Sequence, residues 1–332
     1  MDAPLACPAD GIEALVACPA GAPDASVLCA VAPPLPASDL HRPPSQGGTN
    51  LPAAHRSPQE LHRKGEKRQR SSQERWRSKV IGIDLTGKAA LVTGGSLGLG
   101  ARTCERLAEA GAAVIVNGYQ HPERAEQVAV AIRERGGSAV AIQADVRDTA
   151  AVASMVRQGE ATLDLPVTIV VNNAGREERC AAPLDLDWDD YQMMLELNAK
   201  AVYNTCRATV PTMRQAHWGR IINITSMAFL QPGRHFAAYA TGKGAMYSLT
   251  RNLALELGPD GITVNLVAPG WMATERSAHA SPDAIAGLVR ATPLHRQGTA
   301  LDIANAVLFF ASPLADFVTG DLLAVSGGHG MH

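Results

Sequence analysis

The chain of 332 residues lacks any apolar run long enough to span a bilayer, so no membrane-spanning helix is expected. Cysteine is sparse and scattered: Cys7, Cys18, Cys29, Cys104, Cys180 and Cys206, with no C-x-x-C pair among them. That pattern indicates neither a zinc site nor a disulfide framework, and reduced thiols in a cytoplasmic protein are the expectation. An excess of charge of one sign is missing too. Lys and Arg total 30 against 32 Asp and Glu, a formal net charge of −2, so no global field points to nucleic acid. A basic start followed by an apolar stretch, the mark of a secretory leader, is absent. Apolar residues are plentiful at 46%, ample for a core.

Residues 1–80 are unlike the rest. The first 50 are rich in Pro, Ala, Gly and Ser, and 55–79 is basic, with Arg63, Lys64, Lys67, Arg68, Arg70, Arg75, Arg77 and Lys79. Such a stretch buries too little apolar surface to offset its ordering entropy, and a disordered, solvated tail is expected. A basic run also suits nucleic acid, a membrane surface or a localisation signal, but a solvated tail is the simpler reading. Because a complete fold begins just after it, translation starting near Val80 is a further expectation; an intact mass that includes Met1 to Lys79 would exclude it.

From Ile83 onward apolar runs alternate with helical patterns. The runs are 89–92, 113–116, 139–142, 167–171, 221–224, 262–267 and 322–325, and the helical patterns are 123–135, 149–159, 188–215, 239–257 and 299–311. Alternation of this kind implies βαβ units and a parallel sheet covered on both faces. The expectation is an α/β fold: one doubly wound Rossmann-type domain over 81–332, with a seven-stranded parallel sheet.

After the first run comes Thr93-Gly94-x-x-x-Gly98-x-Gly100, then a helical pattern from Ala101 to Gly111. Glycines at a strand–helix turn let the backbone approach a diphosphate, and the helix N-terminus favours its charge. Further on, Tyr239 and Lys243 stand four residues apart, on one helical face, thirteen residues after Ser226. An ammonium near a phenol favours the ionised phenol, and a phenol so tuned can exchange a proton with a substrate oxygen. A serine hydroxyl at the preceding strand end can hold the same oxygen.

With these motifs, Asn172-Asn173-Ala174-Gly175, Asn198 and Pro269-Gly270 in this order, the chain resembles the classical short-chain dehydrogenase/reductase family from about Asp84 to Gly328. The resemblance implies catalytic roles for Asn198, Ser226, Tyr239 and Lys243. It implies that Gly94, Ser96, Gly98 and Leu99 line cofactor phosphates, that Asp145 and Val146 sit at the adenine, and that Asn172, Ala174 and Gly175 lie beside the adenosine ribose. Pro269, Gly270 and Thr274 would lie at the nicotinamide end, and Tyr239 and Lys243 would also touch the cofactor. Where an acid would select NAD, the second run ends Asn117-Gly118-Tyr119. NADP is therefore preferred over NAD, with Asn117, His121 or Arg124 as phosphate partners.

The C-terminal part is similar to 3-oxoacyl-[acyl-carrier-protein] reductases, so a ketoreductase acting on a carbonyl or secondary alcohol is expected. His217-Trp218 and Asp260 stand where carrier-docking members have basic residues beside the site, and Asp260 would repel an acidic partner. The loop 272–296, with Arg276, His279, Arg290 and His295, reads as a mobile substrate loop, and no zinc motif surrounds His279. The resemblance further implies a homotetramer, or else a dimer, through the 188–215 and 239–257 helices. The alternative is a cofactor-binding scaffold without catalysis.

Overall fold

Short apolar runs rich in Val and Ile pair where the sequence leads one to expect strands, because each can bury both faces. The computed structural model describes residues 82–176, 178–275 and 280–331. Residues 1–80, Arg276 and His279, on which some expectations fall, lie outside them. Strands β1 (Ala89–Val92), β2 (Ala113–Gly118), β3 (Ala139–Gln143), β4 (Val167–Asn172), β5 (Gly219–Ile224) and β6 (Ile262–Pro269) join a last strand, β9 (Leu322–Val325). They form one seven-stranded parallel sheet in the order β3-β2-β1-β4-β5-β6-β9. Chain order reverses between β1 and β4, and a crevice opens there at the carboxyl ends of the strands.

The helices are α1 (Gly98–Glu109), α2 (Pro122–Glu134), α3 (Thr149–Leu163), α4 (Trp188–Leu195), α5 (Ala201–Ala216), α6 (Ala237–Leu257), α7 (Pro282–Ala291) and α8 (Ala300–Ala311). Their starts are chemically marked. The Asp148 carboxylate accepts from Ala150 and Ala151 N–H at the head of α3, and Thr299 with Asp302 forms a capping box on α8. Two apolar layers sandwich the sheet, and the strand period of two sorts residues between them. Ala90 and Val92 face a layer that holds Cys104, Leu107, Ile303 and Phe310; Ala89 and Leu91 face one that holds Val152, Met155, Cys206 and Met246. Burial of each large side chain contributes about 1.5–3 kcal/mol.

Three expectations are corrected. The pattern 188–215 is not one helix: α4 and α5 are separated by a π-turn, Glu196–Lys200, in which Ala201 N–H bonds Glu196 O. The loop 272–296 is not structureless. It contains α7, with Ser281 capping it and Pro282 opening it, and a short strand β7 (Met272–Ala273) paired with β8 (Gly298–Thr299). Cys104 and Cys206 are free and buried, and burial pushes the Cys206 thiol up to about 12; Cys180, by contrast, is disulfide-bonded. Among the described residues no helix is long and apolar enough to cross a membrane.

Candidate active site

Gly94, Asn117, Asp145, Asn172, Ser226 and Pro269 all stand at or just beyond the carboxyl ends of strands, so six segments converge on one rim of the sheet. On the β1 side the rim is a close-packed turn. Gly94 (φ +60°) presses on β4: a β-carbon there would lie 2.8 Å from Ala174 Cα. A β-carbon on Gly100 would run into the carbonyl of Gly94. Thr93 Oγ1 accepts from the N–H of Asn173 (3.0 Å) and Ala174 (3.1 Å), while Asn173 Nδ2 donates to Thr93 O and Gly94 O. Gly175 follows without close contact beyond Asn173 O.

Helix α1 begins at Gly98, not Ala101, so Gly98, Leu99 and Gly100 form its first turn. Leu97 gives it no side-chain cap and no acidic residue sits in that turn. The free N–H groups and helix dipole suit an anion, and with Ser96 beside them the residues fit a dinucleotide diphosphate.

Asn117 departs from its expected role. It is 2% exposed; its Oδ1 accepts from Gly94 N–H (3.2 Å) and its Nδ2 donates to the carbonyls of Gly118, Ile142 and Ala144. The amide is spent on bracing the turn and offers no free group to a phosphate. Arg124 and His121 remain exposed nearby. Asp145 is gripped by Arg147 through both carboxylate oxygens (2.6–3.1 Å), and this guanidinium holds its carboxyl below the usual carboxylate range. Val146 is buried, and its carbonyl accepts from Asn204 Nδ2 at 2.9 Å.

The β5 side is built by hydrogen bonds. Tyr239 and Lys243 lie on the first turns of α6 with the Lys243 ammonium 5.7 Å from the Tyr239 ring centroid. Lys243 is 6% exposed and its Nζ donates to Ile224 O (2.8 Å), the last residue of β5 and two before Ser226. Ser226 caps a 3₁₀ turn, its Oγ accepting from Ala228 N–H at 3.2 Å. Asn198 is buried in the π-turn, and its Nδ2 donates to Met194 O (2.8 Å). Gly242 brings α6 against it: a β-carbon there would lie 2.7 Å from Met194 O and 2.9 Å from Asn198 Nδ2. Asn198, Ser226, Tyr239 and Lys243 thus meet at the junction of β5, α6 and the π-turn.

Sequence reasoning missed what lies beneath. Thr205 Oγ1 reaches Asn172 Oδ1 (2.8 Å), Asn172 Nδ2 donates to Asn223 Oδ1 (2.8 Å), and Asn223 Nδ2 donates to Thr250 Oγ1 (2.8 Å). This buried chain ties α5, β4, β5 and α6 together. Its one sequence signal is Asn223 inside an apolar strand, since a buried amide needs partners. Asn172, expected beside a ribose, has its side chain committed here. Pro269 ends β6, Gly270 packs within 2.8 Å of Ser326 Cα (measured from a β-carbon built on it), and Thr274 follows β7.

His217-Trp218 and Asp260 do not flank this rim within the chain. They precede β5 and β6 and so lie at the amino ends of the strands. Asp260 is paired with Arg214 (2.7 Å), and Trp218 is covered by Lys88 (4.0 Å) and Arg220 (4.4 Å). Among the described residues no group of His, Cys, Asp or Glu is arranged to hold a metal ion.

A family model described as enoyl-(acyl carrier protein) reductase matches residues 94–330. The 3-oxoacyl-[acyl-carrier-protein] reductase of Staphylococcus aureus is 36% identical over 245 residues, 73% of this chain and 97% of that one. The chain belongs to the short-chain dehydrogenase/reductase family. This short-chain dehydrogenase/reductase is an NAD(P)-dependent oxidoreductase. A 7 alpha-hydroxysteroid dehydrogenase solved with NADH and 7-oxo glycochenodeoxycholic acid superposes with a TM-score of 0.71 at 33% identity, covering 75% of this chain and 96% of that one. A gluconate 5-dehydrogenase from Burkholderia cenocepacia J2315, solved with NADP and tartrate, gives 0.69 at 33% identity over 74% and 96%.

Proposed function

We propose that the chain is an NADP-linked ketoreductase of the 3-oxoacyl-thioester reductase-like type, with Tyr239 as general acid and base. The observation that carries the reading is the tie from Lys243 Nζ to Ile224 O, which fixes the α6 face bearing Tyr239 against the strand end that leads into Ser226. Bound at this rim, the nicotinamide supplies or takes the hydride. Ser226 Oγ holds and polarises the carbonyl oxygen. Tyr239 gives that oxygen its proton as negative charge develops, and the Lys243 ammonium favours the phenolate that remains. Asn198, in the π-turn beside Gly242, supports the path by which Lys243 exchanges protons with solvent. The preference for NADP rests on the missing acid after β2 and on exposed Arg124 and His121. Assembly as a homotetramer in the cytoplasm belongs to the same reading, supported by exposed Trp188, Tyr203 and Leu255 on α4, α5 and α6.

The test is initial rates of NADPH and NADH oxidation with a carbonyl panel that includes a 3-oxoacyl thioester, ketones, quinones and keto sugars. Tyr239→Phe should lose at least about two orders of magnitude in turnover while cofactor binding persists. Near-normal turnover by that variant would refute the assignment of Tyr239. Faster turnover or tighter binding with NADH would overturn the NADP preference. Turnover confined to keto sugars or steroid ketones would replace the thioester substrate.

A further inference from the structure

In a Gly-rich turn of this kind the second glycine leaves room for the backbone to come up against a diphosphate. Here that glycine is Gly98 (φ +52°), and its free side is already faced by an anion. A β-carbon built on Gly98 lies 3.3 Å from Glu275 Oε2 and 3.9 Å from the Thr274 side chain. The carboxylate therefore stands at the first turn of α1, where uncapped N–H groups and the positive end of the helix dipole favour negative charge. The helix brings no acid of its own to that turn; Glu275 supplies one from a segment far away in sequence.

Its position follows from how the segment is tethered. Met272 and Ala273 pair with Gly298 and Thr299, and Thr299 caps α8, which packs on α1. Gly98, Arg102, Glu105, Thr274 and Glu275 line one cavity of about 620 Å³ between these elements. Arg102, the cation of that cavity, is held by Glu105 (2.6 Å) and Glu109 (2.9 Å).

We propose that Glu275 is an internal anion that holds the diphosphate position of the Gly-rich turn, is displaced when the dinucleotide binds, and thereby sets cofactor affinity. The proposal rests on the dinucleotide reading of this rim. Two anions cannot share one helix N-terminus without repulsion, so seating the diphosphate expels the carboxylate. The same displacement releases the segment carrying Thr274, which couples cofactor binding to the substrate side.

Calorimetric titrations of the full chain with ADP, NADPH and adenosine test this, using the wild type, Glu275→Gln and Glu275→Asp. Glu275→Gln should bind ADP and NADPH roughly two- to five-fold tighter, the worth of one anion at a helix N-terminus. Adenosine, which has no diphosphate, should bind unchanged. Glu275→Asp keeps the charge one methylene further back and should fall between; it also guards against a folding defect in the amide variant. Unchanged or weaker binding of ADP by both variants would overturn the proposal, as would an equal gain for adenosine. Failure of the wild type to bind either ADP or NADPH would instead overturn the dinucleotide reading, and this inference with it.

Discussion

The two halves of the sheet hold the rim by opposite means. From β1 to β3 the means is missing side chains: Gly94 and Gly100 let the turn, β4 and α1 come within contact distances that a β-carbon forbids. From β4 to β6 it is added polarity: Thr205, Asn172, Asn223 and Thr250 form a buried hydrogen-bonded chain across two strands and two helices. The first device is local, within eight residues of one turn. The second joins residues 27, 33 and 51 positions apart. A backbone cradle tolerates many neighbours, whereas a polar chain fixes the distances between specific side chains. The cradle suits a ligand held by its phosphates, and the polar chain suits groups that must meet at one reacting atom.

The comparison breaks most sharply at Gly100. Gly100→Ala sets a methyl against the Gly94 carbonyl and should destabilise by about 1–3 kcal/mol or more, with loss of ADP binding. Urea unfolding and calorimetry would check both; a wild-type midpoint with intact binding would show that the turn does not depend on the missing side chain. Next comes Asn223→Ala, which leaves Asn172 and Thr250 each short of a buried partner. An expected cost of about 1–3 kcal/mol follows, with lower turnover but unchanged ADP affinity. A double-mutant cycle with Thr250→Val should show coupling; additive effects would mean that the chain is not a unit. The smallest effect is at Asp145. Its carboxyl is held low by Arg147, so its contribution is present above the ordinary aspartate pKa of about 4 and is lost as pH falls through the depressed value. Asp145→Asn should flatten that acid loss by less than about 1 kcal/mol, since the pair is partly exposed. Thermal midpoints at neutral and acid pH would read it, and an unchanged acid limb would leave the ion pair without weight.

The same contrast decides what was legible in the sequence. Strand runs were plain because a parallel strand buried on both faces is apolar throughout; 89–92 and 322–325 coincide with β1 and β9, and the others differ by one to four residues in all at their ends. The glycine spacing was legible because steric demands are local. Asn117 was visible but its job was not: Gly94, Ile142 and Ala144, which occupy its amide, come together only when β2 and β3 pair. Thr205 and Thr250 looked like ordinary helix residues, since nothing in their neighbourhood announces a partner two layers away. Helix α7 was hidden by reading histidines and arginines as a loop signal, although Ser281-Pro282-Asp283 marks a helix start.

The π-turn between α4 and α5 bears on which length changes the chain can absorb. Met194, Asn198 and Val202 are buried at steps of four. In a regular helix two such steps would carry the third residue about 80° round from the first. One wide turn takes up that swing. Removing one residue inside 196–200 would let the segment relax to an ordinary helix with both flanks still in phase, at the cost of Asn198's projection alone. Removing one residue elsewhere in α5 would rotate everything beyond it by about 100°, and ahead of Thr205 that would take Thr205 from under Asn172. The helix carries a single place where evolution can add or drop a residue without turning the rest of the molecule.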